Sequence, residues 1–209
     1  MKDSITRKYF NWKNIKIIYY DCGSIIIDGK TITDNQVVKL FGVLDGSEIT
    51  ITKHGTDYNI RIQNRYYEAL RSIYKNSYGN WCINNVSIEI IHSKRRQGIG
   101  TRILGYQVKN ARKLGFKLIT TIGVRSNQEN GYYTWPVLGF DGTIPAKTME
   151  ELEKKLIFTN NVQELISNEE GLVLWGEYGT TIFLEFDLDL NSQSSQIHKY
   201  YLLINKVKL

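Results

Sequence analysis

The chain has little proline, little cysteine, few histidines and no long apolar run. Two prolines in 209 residues leave little to interrupt regular elements. Its two cysteines, Cys22 and Cys82, flank apolar stretches without metal-ligand spacing, so they read as reduced core residues rather than a disulfide or a nucleophile. His54, His92 and His198 are scattered, which argues against a zinc site. No stretch reaches the roughly 18 apolar residues of a membrane helix, and Met1–Phe10 is polar and charged. The expectation is therefore a cytoplasmic protein with no membrane partner and no conventional secretion signal. What the chain does have is a 42% hydrophobic composition, enough to bury one substantial domain with or without an appendage.

Acid is missing too, but only locally. Of the 27 Lys and Arg residues, nine fall between Ile90 and Gln128: Lys94, Arg95, Arg96, Arg102, Lys109, Arg112, Lys113, Lys117 and Arg125. No Asp or Glu lies among them. Since 27 less nine leaves 18 basic residues against 21 acidic ones elsewhere, the net +6 comes entirely from this stretch. Its centre is 91–100, IHSKRRQGIG, a basic turn with two glycines. Residues 81–91 predict a strand running into the turn, and 101–114 an amphipathic helix running out. Ile103, Leu104, Val108, Ala111 and Leu114 hold the three- and four-residue spacings of one buried face. Arg112 and Lys113 suit the negative end of that helix, and Gly115 the left-handed residue that closes it. Residues 118–124 predict a second strand.

Free amides at a helix start, glycines that let an oxygen approach and a dipole favouring negative charge make such a turn an anion site. A P-loop needs Lys-Ser/Thr after its last glycine, whereas Gly100 is followed by Thr101-Arg102. A dinucleotide turn needs a third glycine where Ile103 stands and an acid about 20 residues on; none occurs before Glu129. Arg-x-x-Gly-x-Gly remains, matched by Arg95, Gly98 and Gly100.

On these residues, and on Val137-Leu138-Gly139-Phe140 further along, the chain resembles the GNAT superfamily of acetyl-CoA-dependent N-acetyltransferases. The shared pattern is strand, Arg/Gln-x-x-Gly-x-Gly/Ala, helix, strand, then a helix ending in Leu-Gly-Phe, and it spans residues 81–141. The resemblance implies an acyltransferase, without metal, that passes acetyl from acetyl-CoA to an amine by direct attack in a ternary complex. The amides of Arg96, Gln97, Gly98, Ile99, Gly100 and Thr101 would hold the CoA diphosphate, with Arg95, Arg96 and Arg102 meeting the remaining charge. The strand edge at Glu89, Ile90, Ile91 and His92 would bond the pantetheine arm through its backbone. An amide near Ile91 would polarise the acetyl carbonyl, and Asn127 joins this coenzyme-facing set. Glu89, the one carboxylate on the central strand near the turn, is the candidate general base. The tyrosine with which the family protonates the leaving thiolate falls at Trp135, which has no acidic hydroxyl. Tyr132 and Tyr133, within a turn of it, are candidate donors in its place; the other reading of both rings is packing or lining of a pocket.

The expected fold is α+β, a GNAT-like mixed and mostly antiparallel sheet around the central strand–turn–helix–strand unit. Residues 1–80 predict a β-rich part, either the family's amino half or an appended module. Its strands are expected at 15–20, 24–27, 37–44, 48–52 and 58–62, with Asp28-Gly29 and Asp45-Gly46 as hairpin turns and a short helix at 65–75. Residues 81–209 predict the acyl-CoA-binding core, with a helical insertion at 143–179 before a strand at 180–190. Thr148 and Asn168 read as N-caps within the insertion. Residues 197–206 fit a helix or a strand.

The expected partners are acetyl-CoA and an amine acceptor whose class the sequence leaves open, with RNA (aminoacyl-tRNA) and a second copy in a homodimer as further candidates. Two rivals stand beside the enzyme. One is a nucleic-acid-binding module, in which the local cations and some of the 14 tyrosines contact backbone and bases. The other is a catalytically inactive CoA-binding GNAT-like protein, phage- or toxin-associated, which the tryptophan at 135 favours.

Overall fold

The computed structural model describes residues 7–209; the first six positions of the expected 1–80 part, and of the polar Met1–Phe10 stretch, lie outside the described residues. The chain divides into two compact units, one reaching to Leu118 and including Leu202–Leu209, the other Ile119–Tyr201.

In the first unit, β1 (Lys16–Tyr20) runs parallel to β4 (Glu48–His54), and every later pairing in this unit is antiparallel. β5 (Asp57–Asn64), β6 (Tyr67–Lys75) and β7 (Trp81–Ile90) follow β4 side by side. A small separate hairpin, β2 (Ile25–Ile27) and β3 (Lys30–Ile32), turns on Asp28-Gly29 as expected. Both turn residues have positive φ, 49° and 76°, the requirement of a tight turn that matches strand twist. Along β4 to β6 the buried positions alternate: Ile49 and Ile51, then Tyr58, Ile60 and Ile62, then Tyr67, Ala69, Arg71 and Ile73.

Two expected elements change type. Residues 37–44, read as a strand, form none: 37–40 are the end of helix α1 (Asp34–Leu40) and 41–44 a turn and loop after it. Thr33 and Gln36 form a reciprocal capping box there, Gln36 N donating to Thr33 Oγ1 at 3.3 Å and Thr33 N to Gln36 Oε1 at 2.8 Å, which starts a helix that buries Val37, Val38 and Leu40. Residues 65–75, read as a helix, form β6. Tyr66, Leu70 and Ile73 have helical spacing, but Leu70 is exposed, and the inward set includes Arg71. Its guanidinium Nη1 donates to Asn85 Oδ1 of β7, and the Asn85 amide exchanges two hydrogen bonds, 3.0 and 2.9 Å, with Gln107. Burial depresses the Arg71 pKa to about 10. Asp45-Gly46 also turns out otherwise: it leads from α1 into β4 and makes no hairpin, with the Asp45 carboxylate accepting from Lys13 N at 3.0 Å.

Helix α2 (Ile99–Lys113) follows β7 through a 3-10 turn, His92–Lys94. Ile99, Ile103, Leu104, Val108 and Ala111 are buried, while Leu114 is half-buried; Gly115 closes the helix with φ 86°. Neither Cys22 nor Cys82 is in a disulfide among the described residues.

All of β8 (Leu118–Gly123) but its first residue belongs to the second unit, which continues with α3 (Gly131–Val137). Residues 143–179 are helical as expected, carrying α4 (Ala146–Glu153), α5 (Val162–Leu165) and α6 (Glu169–Tyr178). Asn168 caps α6 through Gly171 N at 2.8 Å, as its place predicts. Thr148 does not cap α4: Pro145 holds that position, and Thr148 lies buried inside the helix. β9 (Ile182–Asp187) alternates cleanly, Ile182, Leu184 and Phe186 inward. Residues 197–206 resolve as helix: α7 spans Gln193–Ile204. Phe140, Trp175, Leu184 and Phe186 are fully buried and anchor this unit. The whole is a mixed α+β fold with mostly antiparallel strand pairing. Among the described residues, no helix is long and apolar enough to cross a membrane.

Candidate functional site

The chain between β7 and α2 takes an unusual path because two of its residues are left-handed. Arg96 has φ 59°, and Gly98, at the N-cap of α2, has φ 83° and ψ 10°. A glycine cannot cap a helix with a side chain, and among the described residues no side-chain cap is made here. The first turn-to-helix bond is Arg102 N to Gly98 O at 3.1 Å, so the amides of Ile99, Gly100 and Thr101 come before any helical acceptor. Left-handed residues among successive amides form a concave nest of N–H groups, and the 15-residue helix adds its positive end. A Cβ built on Gly98 would meet nothing within 4 Å, so the mouth of the turn is open.

Around this nest the expected residues divide. Arg95 and Arg96 are exposed, with Arg95 Nε donating to Ile90 O at 2.8 Å. Gln97 braces the turn, its Nε2 donating to Ser93 O at 2.9 Å, and His92 is exposed at the start of the 3-10 turn. Arg102 departs from its expected role. It is 1% exposed on the inner face of α2, with Nη1 donating to Lys208 O and its guanidinium 5.9 Å from the Phe10 ring centre, so it holds the C-terminal segment and not a phosphate. The expected carbonyl-polarising amide at Ile91 is also engaged: it donates to Tyr66 O at 3.0 Å, one step beyond the last β6–β7 pair.

Glu89 is exposed on the sheet face opposite Ile88 and Ile90, whose partners Ala69 and Tyr67 are buried. Directly across stands Glu68, whose carboxylate is 2.7 Å from Arg61 Nη2. The arginine thus answers Glu68 and leaves Glu89 facing solvent.

Tyr132, Tyr133 and Asn127 belong to the second unit. Asn127 is exposed in a turn closed by Ser126 N to Glu129 O at 2.9 Å. Tyr132 donates its hydroxyl proton to Gly176 O at 3.0 Å, and its ring lies 6.2 Å from Trp175 with the Arg125 guanidinium 4.9 Å from its centre. Pro136 explains part of this arrangement. Having no N–H, it leaves the Tyr132 carbonyl without a helical donor, and Trp175 Nε1 takes that place at 2.9 Å. The Tyr133 hydroxyl makes no hydrogen bond among the described residues, so of the two it is the freer donor. Trp135 packs against Phe140 with ring centres 5.1 Å apart. A hollow of about 310 Å³ beside β9, lined by Asp141, Thr143, Phe183 and Glu185 among others, includes none of the expected site residues.

Two basic–aromatic pairs escaped the sequence reading, Lys8-Tyr9 and Arg65-Tyr66. They meet beside the turn, where Lys94 lies over both rings. The signal was the adjacency of a cation and a ring in each pair; their meeting is a product of the fold.

No family model and no curated protein matches the chain. Solved structures similar to it include Arabidopsis thaliana Naa50 in complex with the bisubstrate analogue CoA-Ac-MVNAL, at 13% identity over 56% of this chain and 72% of that one, with a TM-score of 0.33. Nourseothricin acetyltransferase is another, at 12% identity over 76% of this chain and 96% of that one, also with a TM-score of 0.33. Both likenesses are distant.

Proposed function

We propose that this chain is an N-acetyltransferase that binds acetyl-CoA at the turn before α2 and passes its acetyl group directly to an amine. The carrying observation is the uncapped start of α2, with left-handed Arg96 and Gly98 and two exposed arginines. Gly100 supports the same reading. It sits in ordinary helix, and a Cβ there would touch only Ile90 Cδ1 at 3.5 Å, an unstrained contact. The fold itself has no use for a glycine at that position, whereas a diphosphate oxygen approaching the amides does.

In the reaction the amine nitrogen attacks the thioester carbonyl carbon, the carbon–sulfur bond breaks, and the amine proton and the thiolate must each be accommodated. Proximity within the ternary complex supplies much of the acceleration. Glu89, a solvated carboxylate near the end of β7, takes the amine proton directly or through water. Tyr133 returns one to the coenzyme thiolate in place of the tyrosine that Trp135 replaces. Arg95, Arg96 and the amides of Ile99 to Thr101 hold the diphosphate; Arg102 has no part in this.

Binding is tested by thermal unfolding with CoA. A ligand present at about a hundred times its Kd should add about 2.7 kcal/mol to the folded state and raise Tm accordingly. Release of free thiol from acetyl-CoA across pooled amines tests transfer. An unmoved Tm at millimolar CoA would remove the enzyme reading.

A further inference from the structure

Three cations from separate stretches of the chain converge on two rings beside the turn. Tyr9 and Tyr66 meet edge to face with centres 5.3 Å apart. Lys94 Nζ lies 5.7 Å from the Tyr9 centre and 5.0 Å from that of Tyr66, and 3.4 Å from the Tyr9 hydroxyl. Arg65 sits 4.4 Å over Tyr66, and Lys8 5.4 Å over Tyr9. The bond from Ile91 N to Tyr66 O ties this group to the end of β7. Among the described residues none of the three is in an ion pair, whereas Lys16, Arg61 and Lys75 of the same unit each face a carboxylate.

A ring face steadies a cation without neutralising it. Three like charges gathered on one pair of rings repel each other, and a salt bridge would have relieved this at once. An incoming anion relieves it too, with charge-assisted bonds added. We propose that Lys8, Arg65 and Lys94, mounted on Tyr9 and Tyr66, form a second phosphate subsite, apart from the α2 amides, that takes a phosphate carried on a nucleotide ribose. Lys94 precedes Gly98 by four residues, so no more than about 13 Å of chain separates the two anion sites. The ribose phosphate has two chemical sources: the 3′-phosphate of the coenzyme itself, a case that rests on the reading of the turn given above, or the backbone of an RNA, which does not depend on it.

The test titrates the full chain, and its Arg65→Ala and Lys94→Ala variants, with CoA, dephospho-CoA, adenosine 3′,5′-bisphosphate and an RNA hairpin. Circular dichroism verifies that both variants fold. CoA is expected to bind about tenfold more tightly than dephospho-CoA, the worth of one lost charge-assisted contact set, with each variant erasing the gap. Should the two coenzymes bind alike while the hairpin binds and each variant weakens it about tenfold, the subsite stands and its phosphate belongs to RNA. If neither coenzyme form binds, the reading of the turn fails, and the bisphosphate and hairpin alone decide the cluster. Affinities for CoA, bisphosphate and hairpin that neither variant changes overturn the proposal.

Discussion

Tyr132 and Tyr133 are neighbours in sequence with opposite prospects. Tyr132 gives its proton to Gly176 O and packs under Arg125, so Tyr132→Phe should cost about 1 kcal/mol of stability, the worth of one neutral hydrogen bond. Tyr133 has a hydroxyl to spare, and Tyr133→Phe should lower thiol release by about a hundredfold with CoA affinity kept, as loss of a general acid does. Glu89→Gln should lower turnover about tenfold or more in the same way. Unchanged turnover in either removes that residue from the chemistry. The sequence could not separate the two tyrosines, because the distinction lies in a carbonyl 44 positions away. Arg102 misled for a related reason: in sequence a charge reads as outward, and only Lys208 and Phe10 make it an inward one.

Elements were legible where one periodicity ran unbroken. β9 alternates without exception, α2 keeps its apolar stripe, and α6 survives two glycines because Asn168 caps it. α1 and β6 were misread where a local signal was outvoted. The capping box at Thr33 and Gln36 was written in the sequence, but the valines after it suggested a strand. In β6 the inward arginine spoiled the alternation that would have revealed it. The α2 turn yields a prediction that divides fold from function. Gly98→Ala forces a side chain into φ 83° and should destabilise the chain by about 1–2 kcal/mol. Gly100→Ala has room for its methyl group and should leave stability level or raise it by up to about 1 kcal/mol, while weakening CoA. Denaturant unfolding and calorimetry together separate these outcomes; a Gly100→Ala chain that binds CoA normally would show that nothing approaches those amides closely.

For the molecule as a whole, the buried pair Tyr67 and Arg71 makes stability depend on alkaline pH. Burial raises the Tyr67 pKa to about 12 from its ordinary value near 10. The unfolded chain therefore releases that proton first, and the stability Tyr67 contributes is complete below pH 10 and drains away as the pH climbs to about 12. Arg71, depressed toward about 10 by burial and held up in part by the Tyr67 charge, acts in the opposite sense, and does so no less in a Tyr67→Phe chain. The wild-type Tm should thus fall more steeply than that of Tyr67→Phe between these two pH values; parallel curves would refute this. Arg71 has a further consequence. Apolar alternation repeats every two residues, so a slide of β6 by two positions along β7 would keep the same face inward. It would also part Arg71 from Asn85 and strand a bare guanidinium in a dry interior, about 3–5 kcal/mol uphill. This inward cation works as a checksum on strand alignment, rejecting an error that greasy side chains alone would let pass.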